Sequence, residues 1–208
     1  MERYRLSFTF GGLLGHETRV IAKEYIKDRD WTSAKSRILE QNLLQKTRLS
    51  SSKRYFGEIR DRLSCAHEWE VDLITSDVSF EEIITIILAI TARYYRFLRD
   101  FIVEVVRHKW LGKDIQLKEY DFDSFFEGKV PNHEELTEIS DTTRKKLKQV
   151  ALRVLREGNL LAGNKRDIQN LSVPASLLRK YTDSQDFDSL RIFLLSDKEI
   201  EKIAGVAS

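Results

Sequence analysis

The first residues of the chain alternate, with Tyr4, Leu6, Phe8 and Phe10 on one side and Arg3, Arg5, Ser7 and Thr9 on the other. This is the two-residue period of a half-buried strand, so an extended segment is expected at the start. Gly11 and Gly12 break the pattern, and a helix is expected over 13–28. Asp30 stands where its carboxylate can accept free amide hydrogens of a helix opening at Trp31. Ser50 to Ser52 can cap a third helix, KRYFGEIRDRL. Residues 79–110 form the longest apolar-rich stretch and predict one long helix or a kinked pair, ended by Gly112 in the left-handed position.

Beyond it, IQL is a candidate short strand, and Asp121 is placed to cap DSFFEGK. Pro131 and Asn132 should open a helix over NHEELTEI, and Asp141 should cap the longer helix that stops at Gly158. Two short apolar runs around Gly-Asn-Lys-Arg-Asp then predict a small hairpin, and residues 174–181 and 196–203 predict the last helices. The expected fold is mainly α: two packed helical modules with helix-turn-helix character, the C-terminal one winged by the small β-hairpin. The expected divisions are an N-terminal helical module over 1–78, a central long helix or helix pair over 79–118, and a winged-helix-like module over 119–208.

Composition changes this picture little. With 208 residues, 41% hydrophobic and 33% charged, the chain can bury a core without staples. A single cysteine, Cys65, excludes an internal disulfide and fits a reducing, cytoplasmic setting. The start, MERYRLSF, lacks the apolar core of a signal peptide. The most apolar run, IITIILAITA, has about half the ~20 residues that a membrane span needs. No membrane association is therefore expected.

Charge is more informative. The net charge is only +2, but it hides opposite blocks: residues 114–141 hold 2 Lys+Arg against 9 Asp+Glu, and residues 142–166 hold 8 against 1. Residues 1–64 are basic as well, with 14 against 8. On a helical wheel Leu147, Val150, Ala151 and Val154 share one face, while Lys145, Lys146, Gln149, Arg153 and Arg156 lie opposite. A helix with a core stripe and a basic, glutamine-bearing outer face suits the major groove, where cations meet phosphates and Arg or Gln can read purine edges. Thr142, Thr143 and Arg144 at the helix start add hydroxyls, amides and charge for a phosphate. Two short helices before it and a hairpin tipped by Asn164, Lys165 and Arg166 after it follow a winged helix-turn-helix plan. The bland reading is a solvated helix face, and the acidic block just before it is a possible internal partner for these bases.

A second, less regular helix-turn-helix pattern covers 13–64. Lys46 and Arg48 lie in its turn, Ser51 and Ser52 stand at the start of the third helix, and Lys53, Arg54 and Arg60 project from it. Its linker is longer than the usual tight turn. Other patterns carry less: GGLLG lacks the lysine and spacing of a phosphate loop, and the four histidines are scattered, so neither a metal site nor a cofactor is expected. The aromatic row Tyr94, Tyr95, Phe97 and Phe101 with Arg93, Arg96 and Arg99 could stack on bases, but its helical spacing favours core packing. No serine or cysteine stands in the context of an activated nucleophile, and no enzymatic activity is expected.

Several long blocks in the same order, YRLSFTFGGLL, NLLQKTRLSSSKRYFGEI, ARYYRFLRDFIVEVVRHKWL and DFDSFFEGK with HEELTEISDTTRKKLKQVALRVLRE, resemble the BrxA family, the small protein of BREX bacteriophage-exclusion systems. The resemblance implies antiphage defence beside a DNA methyltransferase and large ATPase components, and a helical, helix-turn-helix-bearing fold that binds double-stranded DNA. It also brings a likeness to a helical RNA-binding antitermination factor, and an inner-membrane label that conflicts with the missing span. The function expected is therefore non-catalytic duplex DNA binding, mainly through phosphates. The alternatives are an adaptor that docks other defence subunits and an RNA-binding protein.

Overall fold

A computed structural model describes residues 3–8, 10–163 and 166–205. Helices dominate, and the described strands make one two-stranded antiparallel sheet, so the chain is mainly α with a small hairpin, as expected. Contacts group the chain into two units, one of residues 13–94 and the other of residues 1–12 with 95–208. These units do not coincide with the expected divisions at 78/79 and 118/119. The apolar helix of residues 80–94 belongs with the helices before it, and the extended N-terminal segment belongs with residues far along the chain.

The 13–94 unit holds α1 (Gly15–Tyr25), α2 (Trp31–Glu40), α3 (Leu49–Leu63), α4 (Glu68–Thr75) and α5 (Phe80–Tyr94). Every residue of α5 from Ile83 to Ala92 is buried, because its neighbours α1, α3 and α4 supply apolar surface around it. Asp30 caps α2 as expected, its carboxylate accepting the Ser33 amide at 2.7 Å. The cap expected of Ser50–Ser52 is not used: α3 starts earlier, at Leu49, so the serines lie inside its first turn. Between these helices Glu70, fully buried, accepts both guanidinium nitrogens of Arg93 at 2.8 and 3.0 Å, and the His67 amide at 2.7 Å.

In the other unit the start of the chain is extended, with Tyr4 and Phe8 buried and Arg3 and Arg5 exposed, as the alternation predicts. Thr9 lies outside the described residues. No strand pairs with this segment among the described residues. It is held by side chains instead: the Tyr4 ring stacks on His133 at 3.8 Å, and the Tyr4 hydroxyl donates to Asp100 at 2.7 Å. Phe97, Phe101, Phe122, Phe125 and Phe126 form the aromatic centre, with ring centroids 5.1–5.9 Å apart from Phe97 to its three partners in the 122–126 run. The aromatic row of the sequence is therefore core, with Tyr95, Phe97 and Phe101 fully buried.

The stretch after α5 is broken rather than continuous. Tyr95 leaves helical geometry, α6 (Arg96–Phe101) follows, a π-helical stretch covers Ile102–Arg107, and α7 (His108–Leu111) closes the run. Gly112 does not take the left-handed conformation expected of it; Lys113 does, at φ 61°. Then come α8 (Glu119–Lys129), α9 (Asp141–Glu157), β1 (Leu161–Ala162), β2 (Asp167–Ile168), α10 (Ala175–Asp183), α11 (Phe187–Ile192) and α12 (Asp197–Ile203). Asp121 sits inside α8, where its carboxylate accepts the Lys118 amide at 2.6 Å and closes the first turn. The helix expected over 132–139 is two single 3-10 turns, because His133 is drawn into the interior against Tyr4 and its extended backbone interrupts the helix. The hairpin forms as expected, with Leu161 opposite Ile168. Residues 115–117 extend it through a bridge from Gln116 to Asp167, the Leu117 amide donating to the Arg166 carbonyl at 3.1 Å.

Candidate nucleic-acid interface

Ser140 rather than Asp141 caps α9, accepting the Thr143 amide at 3.3 Å. The helix then buries Leu147, Val150, Ala151, Leu152, Val154 and Leu155, so its other side must face water. Thr142, Lys145, Lys146, Gln149, Arg153 and Arg156 are exposed there, and Thr143 is half-buried beside its cap. Thr142, Thr143, Lys145, Lys146 and Gln149 line a shallow depression of about 540 Å³ at the helix start. This is the arrangement the wheel predicts.

The acids of α8 divide the basic residues into two sets. Arg144 pairs with Glu127 and, at 3.5 Å, with Asp123, and lies 4.5 Å over the Phe126 ring. Lys148 donates to Asp123 at 2.7 Å and to Glu119 at 2.9 Å. Arg166, from the hairpin, reaches Glu119 at 2.6 Å. Burial disfavours the Lys148 ammonium, but its two carboxylate partners outweigh that and raise it above the ordinary lysine value. The same bonds, from Lys148 and Arg166, hold Glu119 below the usual carboxylate range. Arg144 and Arg166, expected to meet a phosphate, are thus committed within the fold to the acidic block that the sequence offered as an internal partner. Arg153 keeps its exposed position but donates to Glu157, one turn on, at 2.6 Å. Lys145, Lys146 and Arg156 make no ion pair among the described residues. Lys165 lies outside the described residues.

The 13–64 candidates fare less well. Ser52 is buried, turned into the interior by the helix period, and so offers its hydroxyl to no outside phosphate. Lys46 donates to Glu17 at 2.8 Å and sits 4.1 Å over the Tyr55 ring, which raises its ammonium above the ordinary value. Arg60 bonds its neighbour Asp61 at 2.6 and 3.0 Å. Arg48, Lys53 and Arg54 are exposed, and Ser51 is half-buried. What the sequence could not place were Glu119, Asp123 and Glu127. Their recurrence at every fourth residue was the available signal, since on a helix it puts all three on one face.

A mainly α chain with a small hairpin and a long helix presenting cations outward is the class of protein these elements define. The BrxA family model matches residues 2–182, and the chain belongs to that family. Among curated proteins it is similar to the "BREX protein BrxA" of Bacillus cereus (strain H3081.97), 28% identical over 132 residues, or 63% of this chain. The matched stretch is 65% of that relative, just under two thirds of its length. The "BREX protein BrxA" of Escherichia coli O9:H4 (strain HS) is 25% identical over 162 residues, 76% of this chain and 75% of the relative. Among solved structures, an uncharacterized protein from Magnetospirillum magneticum shares the fold, with a TM-score of 0.81 at 20% identity, covering 92% of this chain and 98% of that one. No helix of the described residues is long and apolar enough to cross a membrane.

Proposed function

We propose that this protein serves in BREX antiphage defence by binding double-stranded DNA, non-catalytically, through the outer face of α9. Membership of the BrxA family and the naming of its relatives support the defence role. One observation carries the binding: Lys145, Lys146 and Arg156 stand exposed without an acidic partner among the described residues, on a helix whose opposite side is locked into the core. Cations held by their own fold have little to exchange with a polyanion, whereas these can displace its condensed counterions. Gln149 lies between them, able to reach a base edge once the phosphates fix the register. Together α8, the 3-10 turns, α9 and the hairpin read as a winged helix-turn-helix whose recognition helix is α9.

Three phosphate contacts give a log–log dependence of affinity on salt with a slope of about −3. Reversing Lys145, Lys146 and Arg156 to Glu should abolish duplex binding in gel-shift and anisotropy titrations while leaving the circular dichroism unchanged. Retained binding moves the interface off α9. Preference for duplex RNA in direct competition favours the RNA-binding reading. Nuclease-resistant copurification with defence subunits, without any duplex shift at low salt, favours the adaptor.

A further inference from the structure

Glu119, Asp123 and Glu127 recur every fourth residue along one face of α8, with about 6 Å of helix rise between successive members. A regular row of negative charges is also what a nucleic-acid strand presents. Each carboxylate meets a cation from α9 or the hairpin: Glu127 holds Arg144, Asp123 holds Arg144 and Lys148, and Glu119 holds Lys148 and Arg166. Glu119 and Asp123, with Arg144, Lys148 and Arg166, line a cleft of about 580 Å³ that also takes in Lys145 and Gln149, so it is continuous with the exposed face of α9. The cations are the more covered partners, the Lys148 side chain being 15% exposed, whereas that of Glu119 is 69% exposed. Because the acids point outward while the cations are covered, water and salt reach the carboxylate side of each pair and screen it in part.

We infer that the acidic row of α8 is an internal stand-in for a phosphate strand. It occupies Arg144, Lys148 and Arg166 and so limits how tightly the α9 face holds nucleic acid. This rests on the reading of α9 as the duplex-binding face. Close approach of a strand along the cleft would exchange carboxylate for phosphate on those cations, and the displaced acids would repel it. The net effect is a second basic row that the fold holds out of use.

The test is a triple substitution of near-equal shape, Glu119→Gln, Asp123→Asn and Glu127→Gln, titrated with labelled duplex DNA at several salt concentrations beside the parent protein. Three freed cations should steepen the log–log slope by about 3 and raise affinity at low salt by about tenfold or more. The single variant Glu119→Gln, at the most exposed of the acids, should steepen it by about 1 and guards against misfolding of the triple. Adding Lys148→Ala to the triple should return about one unit of slope. Unchanged slope and affinity in both acid variants, with the parent binding normally, overturn the masking and leave the α9 reading standing. No binding by parent or variants overturns both, whereas binding that appears only in the acid variants supports the masking in its strongest form.

Discussion

Among the described residues some cations are held by acids of the fold and others face solvent, and their near neighbours in sequence do not reveal which. Arg144 and Lys145 are adjacent, yet the first is held by Glu127 and Asp123 and the second faces solvent without an ion pair among the described residues. The acids that hold Arg144 lie a helix away, so the wheel shows the face but not the partner across it. Glu24 illustrates the structural role. Its side chain is 10% exposed and accepts from Lys27 at 2.6 Å and Arg37 at 2.9 Å. Burial pushes its carboxyl up, but those two bonds outweigh burial and hold it below the ordinary range. Because the folded-state value lies below the unfolded value of about 4.3, its contribution is complete above that pH and is lost as pH falls through the folded value. Urea midpoints should therefore drop between about pH 6 and pH 3, and the drop should be smaller in Glu24→Gln. An identical loss in both proteins means that Glu24 carries none of it.

Among the elements, the most legible were those whose period and caps agreed. Asp30 at the head of α2, the apolar stripe of α9 and the hairpin after it could all be read from the chain because each depends on residues a few positions apart. The failures came where distant packing decided the backbone. His133 leaves the 132–139 segment for the Tyr4 ring, and the 95–111 run breaks into α6, a π-helical stretch and α7 around buried aromatics. Gly12 shows the same long reach. A Cβ there would meet the Glu157 carboxylate, so the N-terminal segment lies against the end of α9 and any larger residue would have to push that side chain aside. The cap of α9 was displaced by one residue, from Asp141 to Ser140, and this has a measurable consequence. Ser140→Ala removes the acceptor of the Thr143 amide and should cost about 1 kcal/mol in urea unfolding. Asp141→Ala should cost less, because its side chain receives no capping bond. The reverse order would restore Asp141 as the cap.

For the molecule as a whole, a net charge of +2 conceals how few of its clustered cations are available to a partner. In residues 13–64 the expected cluster loses Lys46 to Glu17, Arg60 to Asp61 and Ser52 to the interior, which leaves Arg48 and Lys53 exposed without an ion pair among the described residues. On α9 three such cations share one helix, and they flank Gln149. The number of ions released on binding tells these sources apart, because each phosphate contact adds about 0.9 to the slope whatever the sequence bound. With α9 alone engaged the slope is near −3, and with Arg48 and Lys53 added it is near −5. The α9 reading therefore expects Arg48→Glu with Lys53→Glu to leave the slope where it was, while Lys145→Glu with Lys146→Glu reduces it by about 2. Nonspecific attraction by the whole basic surface would make both pairs act alike, since exposed charges then count by number rather than by place. Equal losses from the two pairs, measured on one duplex over one salt series, would take the function away from α9 and spread it over the molecule.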